Sequence, residues 1–236
     1  QALPPLLPTH HDCLYSMLNF SRLLPLILLF GLLTACAGRP GPELLRDTVP
    51  PVAGARIVTV SPATTSKRDD TGIFTAGRAE HVNYIRFKVS VPPGHKSGNI
   101  EWPKSRSNPK TDFVTVEQKV LDRAAFENEV SRSRGGKPPS MGVFIHGYNT
   151  NFTEAVYRIA QMASDADVDA VPILFAWPSE GSVAGYVADK DAVTYSRDQL
   201  VDLLSNLASK RTQGPITVIG HSMGGWLTME AVRQLR

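Results

Sequence analysis

Residues 215–225 read Pro-Ile-Thr-Val-Ile-Gly-His-Ser-Met-Gly-Gly. Pro215–Ile219 is a short β-branched run of strand type, and a helical pattern runs from Gly225 to the end of the chain. Between them Gly220-His-Ser-Met-Gly224 fits Gly-x-Ser-x-Gly. A five-residue pattern is weak by itself, and a glycine-rich loop with an incidental serine is the competing reading. Its position between strand and helix gives it weight. There a serine is forced into a tight, strained turn, and its hydroxyl projects above the sheet. The flanking glycines let the two backbones approach, and the helix start directs unpaired N–H groups at any oxyanion formed there.

Upstream, strands alternate with helices. Gly142-Val-Phe-Ile-His146 reads as a buried strand, Phe152 to about Ala166 as a helix with Ala155, Ile159 and Met162 on one face, and Val171–Ala176 as a second strand. Asp189 to Lys210 reads as one long amphipathic helix. This alternation predicts an α/β protein with a mostly parallel central sheet covered by helices on both faces. From Arg56 to about Pro139 the texture is different. Short β pieces are expected at Arg56–Val60, Tyr84–Val91 and Phe113–Val116, then a helix from about Leu121 to Arg132.

His146-Gly147-Tyr148-Asn149 follows the first parallel strand. An acyl-transfer oxyanion needs two donors about 3 Å away, and the Met223 N–H supplies one. Gly147 permits a loop that turns the Tyr148 N–H toward the same point. His146 reads as a loop-fixing residue rather than a base.

Several separated motifs carry a resemblance: Val89-Ser-Val-Pro92 with His95, Gly98 and Ile100-Glu101; His146-Gly-Tyr-Asn-Thr-Asn-Phe152; Phe175-Ala-Trp-Pro-Ser179 with Tyr186 and Asp189; and Gly220-His-Ser-Met-Gly224. Over about residues 56–236 the chain resembles an uncharacterised bacterial α/β-hydrolase family, an esterase/lipase-superfamily domain of unknown function. The resemblance implies an α/β-hydrolase fold with Ser222 as nucleophile. It implies no known substrate.

In that fold the triad acid and histidine follow the serine in the chain. No histidine follows Ser222 here, and Glu230, the one acid after it, lies roughly 12 Å further along a helix. The expectation is a hydrolase domain incomplete at its C-terminus, its last strands missing. The chain as written would then be inactive, and the strand at 216–219 would keep one unpaired edge. The complete protein is read as a serine hydrolase that cleaves an ester or related acyl bond of a small-molecule substrate without a cofactor. The alternative is a non-catalytic lipoprotein that uses the scaffold for binding.

The N-terminus reads as an address. Met17 to Arg22 gives a basic head, Leu23 to Leu33 an apolar run about half the roughly 20 residues of a spanning helix, and Leu33-Thr-Ala-Cys36 a lipobox-like end. Residues 17–35 are expected to be a lipoprotein signal peptide, with 1–16 an upstream extension. Cys36 is the expected lipid-attachment residue, and 36–55, rich in Pro, Gly and Ala, a flexible tether. The competing reading is a simple cleaved signal with an incidental cysteine. The lipoprotein reading places the protein in the bacterial cell envelope, in the outer membrane facing the periplasm.

Composition removes other classes. The formal charge is +3, from 25 basic and 22 acidic side chains, and no stretch interleaves basic residues with aromatics for nucleic acid. Two distant cysteines exclude a disulfide scaffold or a multi-cysteine zinc module. His95, alone in its loop, has no second ligand at metal spacing, so no metal site is expected.

Overall fold

The computed structural model describes residues 39–104, 106–132, 137–167, 169–209 and 214–235. The expected signal peptide at 17–35, the expected lipid-attachment residue Cys36 and the expected extension at 1–16 lie outside the described residues. None of the described helices is long and apolar enough to cross a membrane.

Six strands form one mixed sheet: β1 (Arg56–Arg68), β2 (Phe74–Val91), β3 (Val114–Leu121), β4 (Ser140–Ile145), β5 (Ala170–Ala176) and β6 (Ile216–Gly220), in the order β3-β2-β1-β5-β4-β6. β1, β2 and β3 pair antiparallel, while β1–β5, β5–β4 and β4–β6 pair parallel. The α/β class and the mostly parallel sheet covered by helices on both faces are as the sequence predicts.

Side chains alternate across the pleat with period two, and the helices divide accordingly. Met141, Val143 and Ile145 of β4 and Val171, Ile173 and Phe175 of β5 point to one face. That face is covered by α2 (Arg123–Val130), α4 (Tyr186–Tyr195), α5 (Arg197–Ser209) and α6 (Met223–Gln234). Phe144 and Leu174 point to the other face, beneath α3 (Phe152–Ala166) and the short α1 (Glu43–Arg46). Burial on both faces explains why β4 and β5 read as unbroken apolar runs.

The structure corrects four sequence expectations. β1 and β2 form a hairpin far longer than the two short pieces predicted. Its polar outer half, residues 61–83, hid it, and its tip is closed by the Asp69 carboxylate, which accepts the N–H groups of Thr71 and Ile73, each at 2.9 Å. The single helix over Asp189–Lys210 is two helices, α4 and α5, that break at Ser196. The buried Ser196 hydroxyl bonds Thr65 Oγ1 at 2.7 Å and the Ala192 carbonyl at 2.9 Å, a tertiary contact that local periodicity cannot register.

The third correction concerns the tether. From Pro40 onward it is part of the folded domain. Leu45 is buried, the Leu44 carbonyl accepts from Thr115 and Tyr157, and Asn151 Nδ2 donates to the Pro40 carbonyl at 3.0 Å. A low-periodicity sequence is ordered here because neighbouring side chains satisfy its backbone. Fourth, the strand predicted at 113–116 spans Val114–Leu121 and shortens the helix after it to Arg123–Val130.

β4 is flanked by β5 and β6. After β4 the chain enters α3 on one face; after β6 it enters α6 on the other. The loops at the carboxyl ends of these adjacent parallel strands therefore diverge and leave a crevice, the position where open α/β sheets place their sites. β6 is the last strand in the sheet order, and Ile219, Trp226 and Met229 are exposed beside it.

Candidate active site

Ser222 follows β6 by two residues and is the N-cap of α6. Its φ of 52° and ψ of −121° lie where only glycine is comfortable, so its placement in a sharp turn is a conformational fact and not an inference from motif. Glycine is required on both sides. A Cβ at Gly220 would lie 2.6 Å from the Gly225 Cα, and one at Gly224 would lie 2.4 Å from the carbonyl oxygens of Ile145 and His146. The start of α6 thus rests directly on the end of β4. The His221 N–H donates to the Ile145 carbonyl at 3.0 Å and ties the turn to the same strand.

Ser222 is exposed, and the amide of Met223 opens α6. The first N–H groups of a helix have no partner within it, so this amide is free to serve an anion at the turn. The loop after β4 brings the other expected donor into the neighbourhood. Gly147 stands against the turn: a Cβ there would lie 3.0 Å from Ser222 Cβ and 2.6 Å from His221 Nδ1. Tyr148 follows, and its hydroxyl donates to the Val183 carbonyl. Gly147, His221 and Ser222 therefore meet at the crevice between β4 and β6, and Tyr148, Gly220, Met223 and Gly224 are their neighbours in the chain.

His146 lies apart from the hydroxyl chemistry. It is buried and stacked on Trp177, with ring centroids 4.7 Å apart. Nδ1 faces the Gly147 carbonyl and Nε2 the Trp177 carbonyl, each at 3.0 Å. Burial pushes its pKa below the ordinary value, partly opposed by those two carbonyls. A neutral ring carries one N–H and donates to one of them at a time. Trp177 returns a bond, Nε1–H to the His146 carbonyl at 2.9 Å, and is a buried packing residue at the end of β5.

The remaining described histidines are also accounted for. His81 sits on β2, four strands from β6, or about 19 Å at ordinary strand spacing. His95 is held between Glu101 at 2.8 Å and Asp165 at 2.7 Å. Among the described residues no group of His, Cys, Asp and Glu is arranged to hold a metal ion. Glu230 pairs with Arg233 at 3.1 Å. A cleft of about 580 Å³ opens beside the turn; its apolar walls, among them Trp102, Phe144, Met162 and Ile219, end against Gly147 and His221.

Sequence reasoning gave Asp189 no role at this site, although the residue is wholly buried beside it. Its carboxylate accepts from the Asn149 amide, the Ser179 hydroxyl and the Glu180 amide. Its signals were a place beside the Phe175–Ser179 motif, which assigned it no role, and a charge at the start of an amphipathic pattern, which more often marks a solvated helix end.

Comparisons with known proteins bear on the fold. Residues 122–236, just under half of the chain, match the family described as "Alpha/beta hydrolase of unknown function (DUF900)". The sequence resemblance extended back to about residue 56; the match begins only after β3. A 61-residue stretch is 38% identical to the uncharacterized protein alr1448 of Nostoc sp. and covers 26% of this chain but 16% of that protein. No solved structure matches the chain. The parallel sheet, the divergent loops and the serine turn are consistent with that match to an α/β-hydrolase family of unknown function over residues 122–236.

Proposed function

We propose that this protein is a serine hydrolase that cleaves an ester or related acyl bond through an acyl-enzyme on Ser222. The observation that carries this reading is the backbone of Ser222 itself. A non-glycine residue held at φ 52° costs about 1–3 kcal/mol, and here it lifts a hydroxyl toward solvent at a helix start, opposite Gly147. In this mechanism the Ser222 oxygen attacks the acyl carbon, the carbonyl oxygen takes up negative charge, and the amides of Met223 and Tyr148 donate to it. Collapse expels the alcohol and leaves the acyl group on Ser222 until water removes it. The hydroxyl requires a base, and the proposal assigns that base and its acid to segments other than those described.

The same proposal places the protein in the cell envelope, lipid-anchored through Cys36. The test is fluorophosphonate labelling of the complete gene product. Labelling that disappears in Ser222→Ala supports the reading; a folded, unlabelled protein overturns it. Mass spectrometry of the mature N-terminus tests the anchor, with diacylated Cys36 expected.

A second reading has its own observation. His146, His95 and Glu230 are each engaged elsewhere, and His221 leans on Gly147. A scaffold that binds acyl compounds without turnover accommodates this, and an unlabelled Ser222 in the complete gene product would favour it.

A further inference from the structure

We propose that Asp189 is a positioning residue that fixes where the Tyr148 amide points, an inference that rests on Ser222 being the nucleophile. Asp189 lies in the first turn of α4 and has no exposed surface. A carboxylate buried this way is costly unless its lone pairs are filled. Its donors come from two different loops. Asn149 N–H reaches Oδ2 at 3.2 Å from the loop after β4. From the loop after β5, the Ser179 hydroxyl reaches Oδ2 at 2.7 Å and the Glu180 N–H reaches Oδ1 at 2.7 Å. One side chain on one helix thus ties the loop after β4, which borders the crevice, to the loop after β5.

The consequence for Tyr148 follows from peptide planarity. Asn149 is left-handed, with φ of 55°, a conformation that persists only where surroundings enforce it. Its N–H belongs to the Tyr148–Asn149 peptide, so the bond to Asp189 sets that plane. The preceding plane, Gly147–Tyr148, carries the Gly147 carbonyl that faces His146 Nδ1. The Tyr148 N–H lies in that same plane, antiparallel to the Gly147 carbonyl, and is therefore directed away from the ring. Both planes that meet at Tyr148 are therefore held by buried groups, and the Tyr148 hydroxyl is tied to Val183. This rigidity suits a donor that must stand ready before charge develops.

The decisive variant is Asp189→Asn, which keeps the shape but turns an NH2 group toward one of the N–H or O–H donors and releases one loop. In the complete gene product, the maximal fluorophosphonate inactivation rate is expected to fall about tenfold or more, short of the roughly 10²–10³-fold loss of a whole oxyanion donor. The concentration for half-maximal rate should stay within about threefold, because ground-state binding does not use the hole. A folded Asp189→Asn protein inactivated as fast as the unmodified one overturns this role and leaves the nucleophile standing. An unlabelled unmodified protein overturns both. If Asp189→Asn does not fold, amide hydrogen exchange in the unmodified protein decides. Core-like protection at Asn149 is expected, and loop-like exchange there overturns the role.

Discussion

The Gly147 Cα stands so near the serine turn that a methyl group on it would lie 3.0 Å from Ser222 Cβ and 3.0 Å from the His221 carbonyl oxygen. Two loops from adjacent parallel strands touch here through the one residue type that adds nothing to the contact. Gly147→Ala must displace the turn or the loop, because the His221 carbonyl and the Ser222 Cβ belong to the turn itself and not to the far end of a flexible side chain. A loss of about 1–3 kcal/mol in urea denaturation is expected, together with slower fluorophosphonate labelling of Ser222. Unchanged stability would show that the turn has more freedom than its contacts imply.

Ser222 itself gives a stability prediction that runs against its assigned chemistry. Ser222→Ala keeps a Cβ and therefore keeps the strain at φ 52°. Ser222→Gly relieves it, at the cost of greater freedom in the unfolded chain. The glycine variant should be more stable than the alanine variant by about 1 kcal/mol, read from paired thermal melts. Equal midpoints would mean that the turn is not strained.

The clasp at His95 makes the loop before β3 pH-dependent. Burial alone would push the imidazole down, but the bonds to Glu101 and Asp165 outweigh it and raise its pKa. Burial would push both carboxyls up, yet His95 and loop amides hold Glu101 and Asp165 below their ordinary range. The imidazolium contribution is therefore complete below the unfolded histidine value of about 6.5 and is lost as pH rises through the raised folded value. The carboxylate contributions are present above about pH 4–4.5 and are lost as pH falls through the lowered folded values. Protection of the Lys96 and Gly98 amides, which the same carboxylates accept, should peak between those limits. Hydrogen exchange corrected for its intrinsic rate, at pH 6 and pH 9, reads the alkaline limb. His95→Gln should flatten it.

Asn151 caps α3 with a capping box: its side chain accepts the Glu154 amide at 2.9 Å, and Glu154 accepts the Asn151 amide at 3.0 Å. It also donates to the Pro40 carbonyl at 3.0 Å. Asn151→Ala should cost about 1–2 kcal/mol in chemical denaturation. Asn151→Asp keeps the cap and loses only the Pro40 bond, so it should cost less and free the segment at 40–46, visible as faster proteolysis there. Equal losses for the two would assign no stability to the cap itself.

The parts of the fold that were legible share one property: their signal lies in neighbouring residues. Val143 to Ile145 and Val171 to Ala176 are apolar on both faces, and Ala155 and Ile159 recur at helical spacing, so each element announces itself within one window. Residues 61–83 did not, because an antiparallel hairpin with polar outer positions carries no run long enough to read. Ser196 breaks a helix through a hydroxyl contact with Thr65, 131 residues away. Residues 40–55 are ordered by Thr115, Asn151 and Tyr157, which arrive from distant elements.

The sequence alone determined the α/β class, the strand–serine–helix junction and the glycines beside it, because periodicity and the tolerance of glycine for close approach are local properties. Only the tertiary structure decided that Gly147 meets Ser222, that His146 is buried against Trp177, and that Asp189 binds two loops. Those relationships follow from which strands pair and on which face each helix returns, and long-range packing sets both.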